Sequence, residues 1–127
     1  MSELNWKWGL SVASLGFILI VFSIPLALGK IGPNPWYGVR FLLSYKSDDH
    51  WYAINRYGGR LTCIWGMVIL VLGLAGLFLP TNNESLLLGG IIFSTSLVFM
   101  PVVQGWRFAK QFDANWEKDR SNRRNSE

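Results

Sequence analysis

The residue types that usually carry catalysis are sparse in this chain. His50 is the only histidine and Cys63 the only cysteine, and the sequence places no second ligand or base beside either at the spacing of a metal site or a catalytic dyad. A glycine-rich phosphate-binding motif is also lacking. A lone exposed histidine is usually inert, so we predict that the protein is not an enzyme and holds no metal and no cofactor.

Basic and aromatic side chains instead gather in one segment, where they could bind an anion. In Gly38-Val39-Arg40, a flexible glycine next to an arginine can present the guanidinium for forked hydrogen bonds to a phosphate or carboxylate. Asp48, Asp49 or a lipid headgroup are the candidate partners of Arg40. An arginine that only helps to set the orientation of the protein in the membrane would explain Arg40 equally well, so both interpretations are kept.

Three apolar runs must position this segment. Residues 9–28, 61–79 and 86–103 contain no charged side chain, and each is long enough to cross the roughly 30 Å hydrocarbon core of a bilayer as a helix. A cleaved signal peptide fits the first run poorly, because the run is too long and lacks a small-residue cleavage site. We predict an all-α integral membrane protein, with residues 1–127 forming a single membrane domain.

The basic residues are distributed unevenly around these three spans. The N-terminal tail and the loop 80–85 together contain only Lys7, whereas the loop 29–60 and the tail 104–127 contain all the other lysines and arginines. Cytoplasmic flanks retain such residues, so we predict a plasma-membrane protein with its N-terminus outside and its loop and basic tail inside. Topology and anionic lipid account for the pI of about 9.5, so we expect contact with the bilayer and no direct nucleic-acid binding.

The loop 29–60 is too long and too rich in aromatic residues to be a simple connector. Ser47 followed by Asp48 and Asp49 predicts the start of a helix that continues into the second span. Such a helix would present one face made of Trp51, Ile54, Asn55 and Gly58. We expect Trp51 to be an interfacial anchor, and Ser44 and Asn55 to pair backbone groups of the loop.

Small residues predict which spans pack together. One stripe on the second span is expected to face another on the third; the two stripes are Gly66, Gly73 and Gly76, and Gly89, Gly90 and Ser94. The short loop 80–85 would join them as a hairpin, with Ser85 helping to start the third helix and Pro101 kinking it.

The tail divides into two parts by composition. Phe108, Phe112 and Trp116 recur at a helical spacing among basic residues, which predicts an amphipathic helix along the inner membrane surface. From Asp119 onward polar and charged residues dominate, and we expect disorder.

The loop also resembles the SdpI family of bacterial membrane proteins. The resemblance rests on Tyr37-Gly38-Val39-Arg40, Ser44-Tyr45-Lys46, residues 51–60 and the apolar helix that follows. Phe41 stands where many members have threonine, and the best-known member of the family, an immunity protein, is longer and has additional spans before this region. By this resemblance the expected motif and binding site consists of Gly38, Arg40, Ser44, Lys46, Trp51, Asn55, Arg56 and Gly59.

The resemblance implies a non-enzymatic protein that confers immunity to a secreted, membrane-active peptide or toxin, because the best-known member protects its producing cell in this way. That member also draws a transcriptional repressor to the membrane. A signalling scaffold that sequesters a soluble regulator is therefore the alternative, since the basic loop and tail could dock an acidic partner. A small structural or lipid-binding subunit and a homo-oligomer are left open.

Overall fold

The computed structural model describes residues 3–78 and 83–126, and every regular element in that part of the chain is helical. Three stretches are long and apolar enough to cross a membrane, which confirms the predicted all-helical architecture at that level. The elements are α1 (Glu3–Ala27), a 3₁₀ turn (Leu42–Tyr45), α2 (Asp48–Gly76), α3 (Glu84–Ser96), a second 3₁₀ turn (Leu97–Phe99) and α4 (Met100–Asn125).

Helices α1 and α2 form a close antiparallel pair whose backbones touch. A Cβ atom added to Gly16 would lie 2.6 Å from the carbonyl oxygen of Gly66, and one added to Gly9 would lie 2.9 Å from the carbonyl oxygen of Gly73. Ala13 packs directly against Gly73. Small residues on both helices therefore allow the close approach by which helices associate in lipid.

The predicted partner of the glycine stripe on α2 is wrong. Gly66, Gly73 and Gly76 all lie against α1 rather than against α3. On α3, Gly90 contacts the Trp8 ring of α1, and no described atom lies within 4 Å of a Cβ added to Gly89. The first helix carries its own small residues in register with α2, so it takes the place that the sequence assigned to the third span.

The third apolar stretch changes its helical geometry near Pro101. The 3₁₀ turn Leu97–Phe99 separates α3 from α4, because proline has no N–H to donate to the carbonyl of Leu97 in an α-helical pattern. Helix α3 is capped by Asn83, whose Oδ1 accepts from the backbone N–H of Leu86 at 3.2 Å, so Ser85 is not the cap. Of the predicted loop 80–85, residues 80–82 lie outside the described residues.

Helix α4 continues to Asn125, so the expected disorder from Asp119 is wrong. The predicted helix over Phe108, Phe112 and Trp116 forms. Its aromatic side chains pack against the first half of α2, so the apolar face expected to lie on the membrane surface is covered by protein instead. Phe108 stacks on Tyr57 with a centroid distance of 4.0 Å, and Gln104 Oε1 accepts from the indole N–H of Trp65 at 3.0 Å. The two helices therefore run side by side beyond the predicted spans.

Candidate functional site

Helix α2 begins well before the second apolar run, and its first turns carry much of the motif. Ser47 caps the helix, because its hydroxyl accepts from the backbone N–H of His50 at 3.3 Å. Asp48 and Asp49 occupy the first turn, where acidic groups stabilise a helix. The predicted face of this helix is buried, and it includes Trp51, Ile54, Asn55 and Gly58.

Asn55 fixes the loop onto α2. Its Oδ1 accepts from the backbone N–H of Val39 at 2.7 Å, and its Nδ2 donates to the carbonyl of Trp51 at 3.0 Å. Gly38 makes this approach possible, because its φ of 124° is open mainly to glycine and an added Cβ would lie 2.5 Å from Asn55 Oδ1. The motif glycine and the motif asparagine, 17 positions apart in the sequence, are thus in direct contact.

Ser44 and Trp51 also bind backbone groups of the loop. We call Gly38, Ser44, Trp51 and Asn55 the loop core. Ser44 Oγ donates to the carbonyl of Val39 at 2.9 Å, and the Trp51 indole N–H donates to the carbonyl of Ile31 at 2.9 Å. Trp51 is completely buried, so its predicted role as an interfacial anchor is wrong. Ser44 and Asn55 pair backbone groups of the loop, which is the role expected from their residue types.

Asn34 organises the turn that Gly32-Pro33-Asn34-Pro35 predicts at the start of the loop. Its Oδ1 accepts from the backbone N–H groups of Trp36 and Tyr37 at 2.9 and 2.7 Å, and its Nδ2 donates to the carbonyls of Gly32 and Tyr37. This is the turn that asparagine side chains commonly form with nearby backbone groups. Its position between two prolines in Pro33-Asn34-Pro35 was the available signal.

The remaining motif residues divide into surface cations and a packing glycine. Arg40 is exposed and donates from Nη1 to the carbonyl of Pro35, a different partner from the predicted Asp48 or Asp49. Arg56 is also exposed and lies beside Gly29. Gly59 is buried against the end of α1, where an added Cβ would lie 2.5 Å from the backbone nitrogen of Ala27.

A second group of side chains joins the loop to α4, and we call Lys46, His50, Asp113 and Glu117 the loop–tail cluster. Lys46 Nζ contacts Asp113 and lies 2.6 Å from Glu117 Oε1, and His50 Nε2 lies 3.0 Å from Asp113 Oδ1. His50 is completely buried, so the expectation of an exposed histidine is wrong. The rings of Phe112 and Trp116 pack edge-on against the imidazole at 5.1 and 5.0 Å.

The charges of this cluster stabilise one another. The hydrogen bond from Lys46 lowers the pKa of Asp113 below its ordinary value, with a smaller contribution from His50. The hydrogen bonds to Asp113 and Glu117 raise the pKa of Lys46. Asp113 is therefore a carboxylate and Lys46 an ammonium at neutral pH, and the ion pair holds the end of the loop against α4.

Ser47, His50 and Asp113 lie within hydrogen-bond distance in the order of a hydrolase triad, since Ser47 Oγ is 2.7 Å from His50 Nδ1. The same hydroxyl caps α2, and the same carboxylate binds Lys46. A serine fixed by its own helix is poorly placed to attack a substrate, which favours a structural role for the three. In residues 3–78 and 83–126, no three His, Cys, Asp or Glu side chains are grouped closely enough to hold a metal.

A cavity of about 300 Å³ lies where the loop, α2 and α4 meet. Arg40 lies beside it, and its other walls include Val39, Phe41, Thr62 and Val102. Phe41 stands edge-on to Trp106 at 5.1 Å, which links this wall to α4. The arrangement combines a cationic group with apolar walls, so it can accept an apolar group that carries a negative charge.

Three helices able to span a membrane, with a folded loop between the first two, define a multi-pass membrane protein. The family model described as the SdpI/YfhL protein family matches residues 30–103 of the chain. The chain belongs to this family. Searches of curated proteins and of solved structures found no match. The matched segment contains the whole loop core, whereas Asp113 and Glu117 of the loop–tail cluster lie beyond it.

Proposed function

We propose that this protein is a non-enzymatic membrane protein that protects its cell against a secreted, membrane-active peptide or toxin. The membership of the SdpI family carries this proposal, since the match covers the loop core, both motif arginines and the apolar run of α2. The residues available for chemistry support binding rather than catalysis. Protection would then come from capturing the peptide within or at the membrane.

Arg40 is the residue that we assign to the bound peptide. Arg40 is exposed and lines the cavity, and its Nη1 donates to the carbonyl of Pro35. Arginine has five N–H donors in a fixed fork, so this contact leaves donors that match a carboxylate. The apolar walls next to it suit the hydrophobic side chains of a membrane-active peptide.

The test is a growth assay with a deletion strain. The strain that lacks this gene, alone or complemented with variants, is exposed to culture supernatant of the parent strain and to any secreted peptide encoded beside the gene. We expect the deletion strain to be killed and the wild-type copy to restore growth. Resistance of the deletion strain to every supernatant and peptide would contradict the proposed function.

A matched pair of arginine variants tests the assigned site in the same assay. Arg40→Ala should lose protection at an unchanged protein level, and Arg40→Lys should recover only part of it because lysine lacks the fork. Arg123→Ala, an exposed arginine near the end of α4, should protect like the wild type. Equal protection by the Arg40→Ala and Arg123→Ala variants would show that Arg40 does not bind the peptide and serves only to orient the protein in the membrane.

One observation favours the signalling scaffold as a second candidate function. Helix α4 continues for about two turns past Glu117, which pairs with Lys46 of the loop, and this end exposes Lys118, Arg120, Arg123 and Arg124. An isolated basic helix end can attract an acidic regulator. A pull-down with the intact protein should then recover a soluble regulator, and truncation after Glu117 should abolish recovery. Protection that survives the same truncation would separate the two functions.

The orientation of the protein forms part of the proposal, because the toxin arrives from outside. We propose that the N-terminus lies outside and that the loop and α4 lie in the cytoplasm, on the strength of the uneven distribution of lysine and arginine. Single cysteines at Asn82 and Ser126, in a Cys63→Ser background, are exposed on whole cells to an impermeant thiol reagent. Only the Asn82 position should react, and labelling of Ser126 instead would reverse the topology.

A further inference from the structure

A groove of about 530 Å³ lies between α1 and α3, at the end of the protein opposite the loop core. Its walls are mainly apolar, and they differ in polarity from one end to the other. Lys7 and Glu84 lie at one end and Thr95 at the other, while the walls between them include Trp8, Val12, Leu87 and Ile91. The groove is therefore charged at its mouth and apolar along its length.

Trp8 explains why α3 leaves this space beside α1. Its indole ring lies against Gly76 of α2 and Gly90 of α3, and a Cβ added to Gly90 would be 3.0 Å from the ring atom Cζ2. The buried Nε1 has no hydrogen-bond partner among the described residues. The ring is thus held by packing, and its bulk keeps the two helices apart.

The dimensions of the groove fit one leaflet of a bilayer. From Glu84 to Thr95, α3 rises about 16 Å, at 1.5 Å per residue. Half of a hydrocarbon core of about 30 Å is about 15 Å, which is the depth that an acyl chain occupies. A phospholipid has the same order of groups as the groove, with charges at the surface and an apolar chain below.

The mouth of the groove favours a zwitterionic headgroup. Lys7 provides a positive charge suited to a phosphate, and Glu84 provides a negative charge suited to an ammonium group. A phosphoethanolamine headgroup carries both partners, whereas an anionic headgroup without an amine would leave Glu84 facing like charge.

A second depression on the protein provides an internal comparison. It has a similar volume, about 570 Å³, and it lies along α2 alone. The described residues that line it are all uncharged; they are Cys63, Ile64, Met67, Val68, Val71 and Leu72. An acyl chain should pass over this surface without a headgroup contact to retain it.

We propose that the groove between α1 and α3 is a binding site for one phospholipid with a phosphoethanolamine headgroup. One acyl chain lies along the apolar walls, and the headgroup contacts Lys7 and Glu84. The site belongs to the leaflet reached by the N-terminal end of α1. It is independent of the protective function proposed above.

The test uses the full chain in lipid nanodiscs that contain a trace of phosphatidylethanolamine with a photoreactive acyl chain. After illumination, crosslinked residues are mapped by mass spectrometry. We expect crosslinks on α1 and α3 along the groove to exceed those on the α2 depression by about ten-fold, the ratio that 1.4 kcal/mol of binding free energy provides. Equal labelling of the two surfaces would overturn the proposal.

Two matched variants test the apolar walls of the groove. Ile91→Trp fills the groove, whereas Ile92→Trp places the same side chain on the exposed face of α3. Groove crosslinks should disappear in the first variant and persist in the second. Absent groove labelling in the wild type, together with a loss of toxin protection in the Ile91→Trp variant alone, would instead assign the groove to the peptide.

The headgroup contact is tested by reversing one charge at the mouth. Glu84→Lys replaces the acidic side chain at the mouth by a second cation, so a photoreactive phosphatidylglycerol should replace phosphatidylethanolamine as the preferred probe. An unchanged preference would refute the assigned headgroup. Toxin protection should be unaffected by this exchange, because Arg40 lies at the opposite end of the protein.

Discussion

Removing the Asn55 side chain should release the loop from α2, because this buried side chain pairs a part-buried backbone group of the loop. Asn55 is 2% exposed, and its Oδ1 is the acceptor for the N–H of Val39 at 2.7 Å. Asn55→Ala leaves this donor without a partner, which costs about 1–3 kcal/mol, and the lost hydrogen bond to Trp51 adds about 0.5–1.5 kcal/mol. The carbonyl of Trp51 can still accept within α2. We therefore expect the loop to open about 2–3 kcal/mol more easily.

Trypsin cleavage after Lys46 measures this opening. Lys46 follows the 3₁₀ turn Leu42–Tyr45 and precedes the cap of α2. The loop therefore has to unfold locally before a protease can bind the peptide bond between Lys46 and Ser47. When opening and closing are fast relative to cleavage, the cleavage rate follows the population of the open form. Since 1.4 kcal/mol corresponds to a factor of ten, Asn55→Ala should accelerate cleavage by roughly 30- to 150-fold.

Two further variants make this measurement specific. Ser44→Ala removes one of two side-chain donors to the carbonyl of Val39, so its acceleration should be smaller, at about ten-fold or less. Asn115→Ala changes an exposed residue of α4 and should leave the rate unchanged. The reasoning would be refuted if the Asn55→Ala and Asn115→Ala variants were cut at the same rate.

Three other predictions concern backbone contacts and charge. Gly38→Ala should lower the free energy of unfolding by about 1–3 kcal/mol in a detergent denaturation assay, because alanine would have to adopt a positive φ and contact the Asn55 side chain. Gly89 lies in open space on α3, so Gly89→Ala should be neutral or stabilising by about 0.5–1 kcal/mol in that assay. Gly73→Ala should weaken the pairing of α1 with α2 by a similar 1–3 kcal/mol, measured as a lower midpoint of detergent unfolding, and a midpoint equal to that of Gly89→Ala would contradict the close contact. The contact between the loop and α4 should be pH-dependent at both extremes. The pKa of Asp113 lies below its ordinary value of 3.8, so its contribution is complete above that value and is lost as the pH falls through the lowered pKa. The pKa of Lys46 lies above 10.5, so its contribution is lost only as the pH rises through that raised value. A spin-label distance between the loop and α4 should therefore be constant near neutral pH and lengthen in acid, and Asp113→Asn should remove the acid transition.

The loop shows how far residue types and spacing reach. Ser47 and the two acids after it predict the start of α2, because a helix cap is formed by residues three or four positions apart. Glycine and asparagine in the motif predict a turn and a side chain that pairs backbone groups. The sequence could not pair Asn55 with Val39 or bury Trp51 under the loop, because these contacts depend on the path of the chain between them.

The sequence by itself determined the three apolar helices, the family and the early start of α2. These properties depend on local composition and on neighbours within a few residues, which a sequence displays directly. Only the tertiary structure decided that α2 packs its glycines on α1, since small residues on all three spans could satisfy the same rule. It also decided that His50 is buried, because its carboxylate partner Asp113 lies 63 residues further along the chain. Whether a polar side chain is buried depends on which distant segment covers it, and the packing of whole helices determines which segment that is.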